Sequence, residues 1–414
     1  MSLIDELDKP KSWRSFLRYK TSILVSKRFE KELRSFMEAK SYESVCEGIN
    51  NGEPFPLPRK AVISKMTSTK KRTVYIYPKA ENMVLKLLTH LILRKYDHIF
   101  ADGLYSFRPG RTAKDAVRRL IGTKDIGGMY FYKVDISNYF NSIDVDMFLP
   151  LLKKTLSDDP RLYSFLAGLL LQPGVLDSGK VITEKKGIMA GTPVASFYAN
   201  LYLSELDSFF EEKGATYVRY SDDIIVFAKD EEKITEYADV IKEFLKSRGL
   251  EVNPKKESYG APGDMWSFLG FCYRDDKIDI APASIRKLKG KMRRKSRALL
   301  RWRQRNGVDG AKAASAFIRI FNRKLMEQSD DNDLTWSYWF FTVINTTESL
   351  HEIDLYAQES IRFIMSGTHK NSKYNVRYED MKALGYKSLV HEYYDFPEKQ
   401  KDRAPDSIRG LPKV

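Results

Sequence analysis

The chain has 414 residues, of which 43% are hydrophobic and 30% charged, enough to bury an extensive core and too apolar for a disordered chain. Seventy Lys and Arg against 55 Asp and Glu leave a formal charge of +15, which points to a polyanionic partner, most simply a nucleic acid. The sequence predicts no membrane span and no secretory signal, and two cysteines, Cys46 and Cys272, can make neither a disulfide framework nor, alone, a zinc site, so a reducing cytoplasm is expected.

Along the chain, residues up to about 40 read as basic and helical. The stretch NNGEPFPLP at 50–58 is a loop, and TVYIY at 73–77 is a strand stopped by Pro78. Residues 81–98 predict a helix with Leu85, Leu88, Ile92 and Tyr96 on one face, and 129–136 predict a strand. Residues 195–212 predict one helix. YVRY and IIVFA, joined through Ser221-Asp222-Asp223, predict a hairpin with an acidic tip, though no role for Ser221 emerges. A helix at 234–248 ends at Gly249 in the C-cap position, and short strands are expected at 250–252 and 267–272. Beyond residue 283 the pattern is all helical, so the chain reads as an α+β body followed by a helical appendage. That appendage is basic. Residues 281–414 hold 26 basic and 16 acidic side chains, and 286–305 hold eleven Lys or Arg and no acid. Like charges at helical spacing repel, so such a stretch calls for an external anion more than for solvent alone.

Four features carry chemistry. Asp222 and Asp223 lie between two apolar strands, where paired carboxylates need a neutralising cation; an ordinary solvated turn is the other reading. Asp135 ends another apolar strand and is either a third metal ligand or a simple strand-end acid. Three such acids from two strand ends suit a two-metal clamp for in-line phosphoryl transfer, with Mg²⁺ the natural ion. The segment KKGIMAGTPVASFYANLYL (185–203) places the turn Gly191-Thr192-Pro193 before a helix carrying Asn200. Lys70-Lys71-Arg72 and the arginines of SFRPGR (Arg108, Arg111) are phosphate-binding candidates or solvated charges.

Taken in order, KVDISNYFNSI, IMAGTPVASFYANLYL, YVRYSDDIIVFA, GLEVNPKK and FLGF resemble five successive motifs of the reverse transcriptases. The resemblance runs over residues 60–275 and is to the bacterial branch related to group II intron enzymes. Residues 336–394 resemble the C-terminal part of the free-standing enzymes associated with antiphage defence. The resemblance implies a right-hand polymerase fold: N-terminal extension and fingers at 1–128, palm at 129–280, basic helical thumb at 281–394, flexible tail at 395–414. It implies that Asp135, Asp222 and Asp223, helped by the carbonyl of Ile136, ligate two Mg²⁺ ions. Phe140 falls at the steric gate that selects deoxynucleotides, Lys70 and Arg72 at the triphosphate grip, and Lys256 at the lysine that protonates pyrophosphate. Gly191 and Pro193 fall beside the nascent base pair, and Phe268 and Gly270 in the primer grip. On the thumb, Arg286, Lys289, Arg293, Arg294, Arg297 and Arg301 are the expected contacts to template or RNA–DNA duplex.

The sequence departs from the family where Ala190 replaces the usual Gln, and Ala195 and Ser196 replace the usual serine and proline. The retron hallmarks are missing, as is any recognisable nuclease motif. The implied function is RNA-directed DNA synthesis from dNTPs on a non-coding RNA template, in antiphage defence. A group II intron-encoded maturase is one alternative, and an RNA-binding protein with a vestigial polymerase site is another. Template, primer and oligomeric state are not legible.

Overall fold

The computed structural model describes residues 2–22, 26–64, 71–327, 336–368 and 376–396. The chain divides into two compact units, Met1–Leu269 and Gly270–Val414. Lys70 and the tail beyond residue 396 lie outside the described residues.

The first unit holds two four-stranded sheets. One has the order β2-β1-β4-β5, from β1 (Arg59–Ser64), β2 (Lys71–Ile76), β4 (Gly174–Asp177) and β5 (Lys180–Thr183). The other has the order β6-β7-β3-β8, from β3 (Tyr130–Asp135), β6 (Thr216–Tyr220), β7 (Asp223–Ala228) and β8 (Ser258–Gly260), all pairs antiparallel. The centre of this second sheet is apolar: Val134, Ile224, Ile225 and Val226 are fully buried. Such strands need cover on both faces, and the helices Ser204–Glu212 and Glu231–Ser247 pack against them. The helix Lys79–Lys95 starts after Pro78 and buries Leu85, Leu88 and Ile92, as its spacing predicts.

Three expectations change. The helix foreseen at 195–212 is two helices, Ala195–Tyr202 and Ser204–Glu212, broken at Leu203, whose backbone (φ −109°, ψ 11°) leaves the helical region. The strand foreseen at 250–252 is reduced to a single bridge between Ile136 and Val252. The strand foreseen at 267–272 is interrupted at Leu269 and Gly270, both left-handed (φ 51° and 93°), leaving β9 (Trp266–Phe268) and β10 (Phe271–Arg274). The hairpin β4–β5 was not foreseen.

In the second unit β10 pairs with β11 (Lys277–Ile280) through a two-residue turn, Asp275-Asp276, with positive φ at both positions as such hairpins require. Helices follow. The longest, Pro282–Asn306, buries Ile285, Met292, Leu299 and Leu300 and packs against Gly310–Leu325 and Glu348–Ser366. Phe340 and Phe341 of the short aromatic helix Trp336–Phe341 are core residues, with Phe341 edge-on to Tyr393 at 5.3 Å.

Candidate active site

Strand pairing brings the three acids together. Asp135, the last residue of β3, is directly opposite Asp223, the first residue of β7. Asp222 occupies the hairpin tip between Tyr220 and Asp223, and its carbonyl accepts the amide of Ile136 at 3.0 Å. The two acidic strand ends are thereby locked to each other through the backbone. Asp135 is buried and accepts from Asn253 Nδ2 at 3.1 Å and from Lys256 Nζ. Asp222 and Asp223 make no ion pair among the described residues. Burial, reinforced by Asp135, raises the carboxyl of Asp222. Burial likewise pushes Asp223 up to about 6; Lys133 opposes this, while Asp222 and Asp135 add to it. Burial, the largest single influence, would lower Lys256, but its hydrogen bond to Asp135 and the charges of Asp135, Asp223 and Asp222 together outweigh it, and its ammonium is held above the ordinary value.

The tip rests on a buried polar network whose logic the sequence hid. Ser221 is left-handed (φ 60°) at the first position of a two-residue turn, where glycine is usual. Its amide donates to Ser106 Oγ at 2.9 Å. That hydroxyl donates to Asn200 Oδ1 at 2.9 Å, and Asn200 Nδ2 returns a bond to the Ser106 carbonyl at 2.7 Å. Below lies the fully buried Arg219–Asp207 pair, with Nε to Oδ1 at 2.7 Å. Arg219 also reaches the carbonyls of Asn200 (2.9 Å) and Ser221 (3.3 Å), and Tyr217 donates to Asp207 at 2.8 Å. Every polar side chain of this network has a hydrogen-bond partner, the condition under which buried polar groups rigidify rather than destabilise.

Beside the acids, Arg72 on β2 is exposed, with its guanidinium 5.8 Å from the ring centre of Phe140. Phe140 is half-buried, edge-on to Tyr139 (5.7 Å) and Phe107 (6.4 Å). The glycine-rich segment closes this side. Gly191 has φ 100°, and a Cβ there would stand 3.0 Å from Val74 Cβ, so the segment lies directly on β2. Tyr75 donates to the Ala190 carbonyl at 2.8 Å. Gly187, not singled out from the sequence, is tighter still: a Cβ would come within 2.4 Å of the Phe140 carbonyl. Pro193, half-buried, lies just ahead of the helix Ala195–Tyr202.

Other candidates are engaged elsewhere. Arg108 is buried and donates to Asp97 Oδ1 (2.7 Å) and to the Ala101 carbonyl (2.7 Å), so its guanidinium closes a turn and does not face a phosphate. Arg111 pairs with Asp102 at 2.7 Å and holds that carboxyl below its usual range. The Phe268 side chain is fully buried, while Gly270 is left-handed. In the second unit Arg286, Arg293, Arg294, Arg297 and Arg301 are exposed, whereas Lys289 pairs with Glu352 at 2.6 Å and lies over Tyr356.

Among the described residues no group of three His, Cys, Asp or Glu side chains is drawn close enough to enclose a metal ion as it stands. The donor set nevertheless suits a hard divalent cation. It is all carboxylate, two of its members form no ion pair among the described residues, and burial makes their charge costly.

Carboxylates on adjoining antiparallel strand ends, beside a basic strand and a glycine-rich turn, form an arrangement suited to a divalent cation and a phosphorylated substrate. Residues 63–273, just over half of the chain, match the family model of the reverse transcriptase (RNA-dependent DNA polymerase), and the chain belongs to that family. Its fold is accordingly the right-hand polymerase fold, with a helical C-terminal region. It is 25% identical over 172 residues to the group II intron-encoded protein LtrA of Lactococcus lactis subsp. cremoris, covering 40% of this chain and 28% of that protein. It is 26% identical over 160 residues to the retron Ec86 reverse transcriptase of Escherichia coli, covering 38% of this chain and 49% of that enzyme. An apo telomerase from Candida tropicalis aligns over 55% of each chain at 13% identity, with a TM-score of 0.45. The chain thus matches about half or less of the length of these curated relatives. No described helix is long and apolar enough to cross a membrane.

Proposed function

We propose that the protein is an RNA-directed DNA polymerase that extends a primer with dNTPs on a non-coding RNA template. The observation that carries this reading is the pairing of Asp135 with Asp223 beside Asp222, within the segment that matches the family. Asp135, Asp222 and Asp223, with the Ile136 carbonyl, would hold two Mg²⁺ ions. When bound, such ions ease loss of the primer hydroxyl's proton and offset charge building on the α-phosphate. The primer 3′ oxygen then forms the new bond to the α-phosphorus as the bond to pyrophosphate breaks. Arg72 grips the triphosphate, and Lys256, leaving Asp135, gives its proton to the departing pyrophosphate. Phe140 excludes a ribose 2′-hydroxyl. The exposed arginines of the helix Pro282–Asn306 form the thumb surface for the template or the RNA–DNA duplex, mainly through phosphates.

The test is the double change Asp222→Ala/Asp223→Ala. It is expected to abolish RNA-templated dNTP incorporation and leave RNA binding largely intact; vigorous synthesis by the variant would remove the metal assignment.

The role in a cytoplasmic antiphage defence is supported by the resemblance of residues 336–394 to free-standing defence enzymes. A second reading, a group II intron maturase, is favoured by the similarity to LtrA. Sequencing the RNA and DNA that co-purify with the protein, with and without phage, separates them. One abundant structured RNA with complementary DNA supports the defence reading, and intron RNA supports the maturase. RNA without matching DNA supports a binding protein with a vestigial site.

A further inference from the structure

Phe107 is out of place by every local rule. It has φ 59°, a left-handed conformation rare for a bulky side chain, and 40% of the residue is exposed. Neither the backbone nor solvent favours phenylalanine there. Its neighbours explain how it is held. Ser106 is fully buried, fixed between Asn200 and the Ser221 amide, and Arg108 is buried on Asp97 and the carbonyls of Ala101 and Leu104. With both flanking side chains tied inward, the turn presents Phe107 outward. Its ring stands edge-on to Phe140, at 6.4 Å and 87°. Arg72 lies over the Phe140 ring at 5.8 Å. Phe140 is half-buried against the core, with Tyr139 edge-on to its ring at 5.7 Å, and Phe107 adds a second edge-on contact. Backbone strain kept in place by its surroundings is a mark of functional sites.

We propose that Phe107 is a positioning residue for sugar discrimination: it braces the Phe140 ring so that the clash with a ribose 2′-hydroxyl cannot be relieved by rotation. This rests on Phe140 being the sugar gate. The brace acts on ribonucleotides far more than on deoxynucleotides, which leave room beneath the ring. It also ties the gate to the acidic tip, because Ser106, next in the chain, holds the Ser221 amide.

The test uses the full chain on a poly(rC) template with an oligo(dG) primer, comparing dGTP with GTP. The informative variant is Phe107→Gly, since glycine accepts the left-handed backbone and the lost ring is partly exposed. Its melting temperature should fall by only a few degrees, because relief of the left-handed strain offsets part of the lost ring burial. Its preference for dGTP, as a ratio of kcat/KM, should fall about two- to tenfold, the range expected for one edge-to-face aromatic contact. The fall should come from a lower KM for GTP with kcat for dGTP nearly unchanged, and Phe107→Tyr should restore the preference. A parallel Phe140→Ala variant separates the two ideas. If Phe140→Ala loses the preference and Phe107→Gly keeps it, the brace is wrong and the gate stands. If neither loses it, the gate assignment itself fails and the brace with it. Loss of folding in Phe107→Gly would show a structural role and overturn the proposal.

Discussion

Removing one oxygen atom beneath the acidic tip tests how the site is built. In Ser106→Ala the Oγ that accepts the Ser221 amide and donates to Asn200 Oδ1 is lost, both bonds being 2.9 Å long. Ser106 and Asn200 are fully buried and Ser221 nearly so, so water cannot readily replace the hydroxyl. A buried polar group left without a partner costs about 1–3 kcal/mol. The Ser221 amide is fully orphaned, whereas Asn200 keeps its bond to the Ser106 carbonyl, so the total is about 2–4 kcal/mol. At about 2–4 °C per kcal/mol for a domain of this size, melting should fall by roughly 5–15 °C. Primer extension should fall further than stability does. The Ser221 amide is one residue from the Asp222 carbonyl that clamps Ile136, and small displacements of reacting groups cost about 100-fold. The assay is thermal melting together with single-turnover extension at a temperature where the variant is folded. Unchanged melting and unchanged extension would refute the idea that this hydroxyl holds the tip. Lower melting with parental single-turnover rates would confine the network to folding.

On the basic helix, Arg293→Ala/Arg297→Ala should flatten the plot of log affinity for duplex against log salt by about 1.8, at roughly 0.9 per phosphate contact. Lys289→Ala should move that slope much less, because its ammonium is already paired with Glu352; salt titration of duplex binding checks both. Asp223→Asn should raise the melting temperature in the presence of a chelator at pH 7.5. Burial holds the Asp223 acid form up to about 6, so a folded chain that must ionise it loses stability as pH rises from about 4 through 6. The gain from the amide should therefore shrink towards pH 4, read by melting across that range.

What the sequence disclosed and what it concealed follow from the range of the interactions involved. Asp135 and Asp222-Asp223 were legible because acids at the ends of apolar runs conflict with their surroundings, and that conflict is written locally. Arg108 reads from sequence as either a phosphate ligand or a solvated charge, because a guanidinium suits a phosphate, a carboxylate or water; only the fold shows Asp97 and three backbone carbonyls at its ends. Lys289 carries the same ambiguity, settled by Glu352, which is 63 residues away. Ser221 looked idle because its partner is 115 residues distant, and its left-handed backbone breaks the preference for glycine at that position. The break at Leu203 falls where apolar residues continue at helical spacing on both sides (Tyr198, Tyr202, Leu206, Phe209), so periodicity does not mark an end, whereas Gly270 is a residue that can mark the interruption at Leu269-Gly270. Phe107 joins these cases. A phenylalanine before Arg-Pro-Gly suggests nothing by composition, and its significance lies in a backbone angle and a ring contact that exist only once Ser106 and Arg108 are both drawn inward. In this candidate site the residues proposed to do the chemistry are recognisable by type, whereas those that hold them in place are recognisable only by their partners.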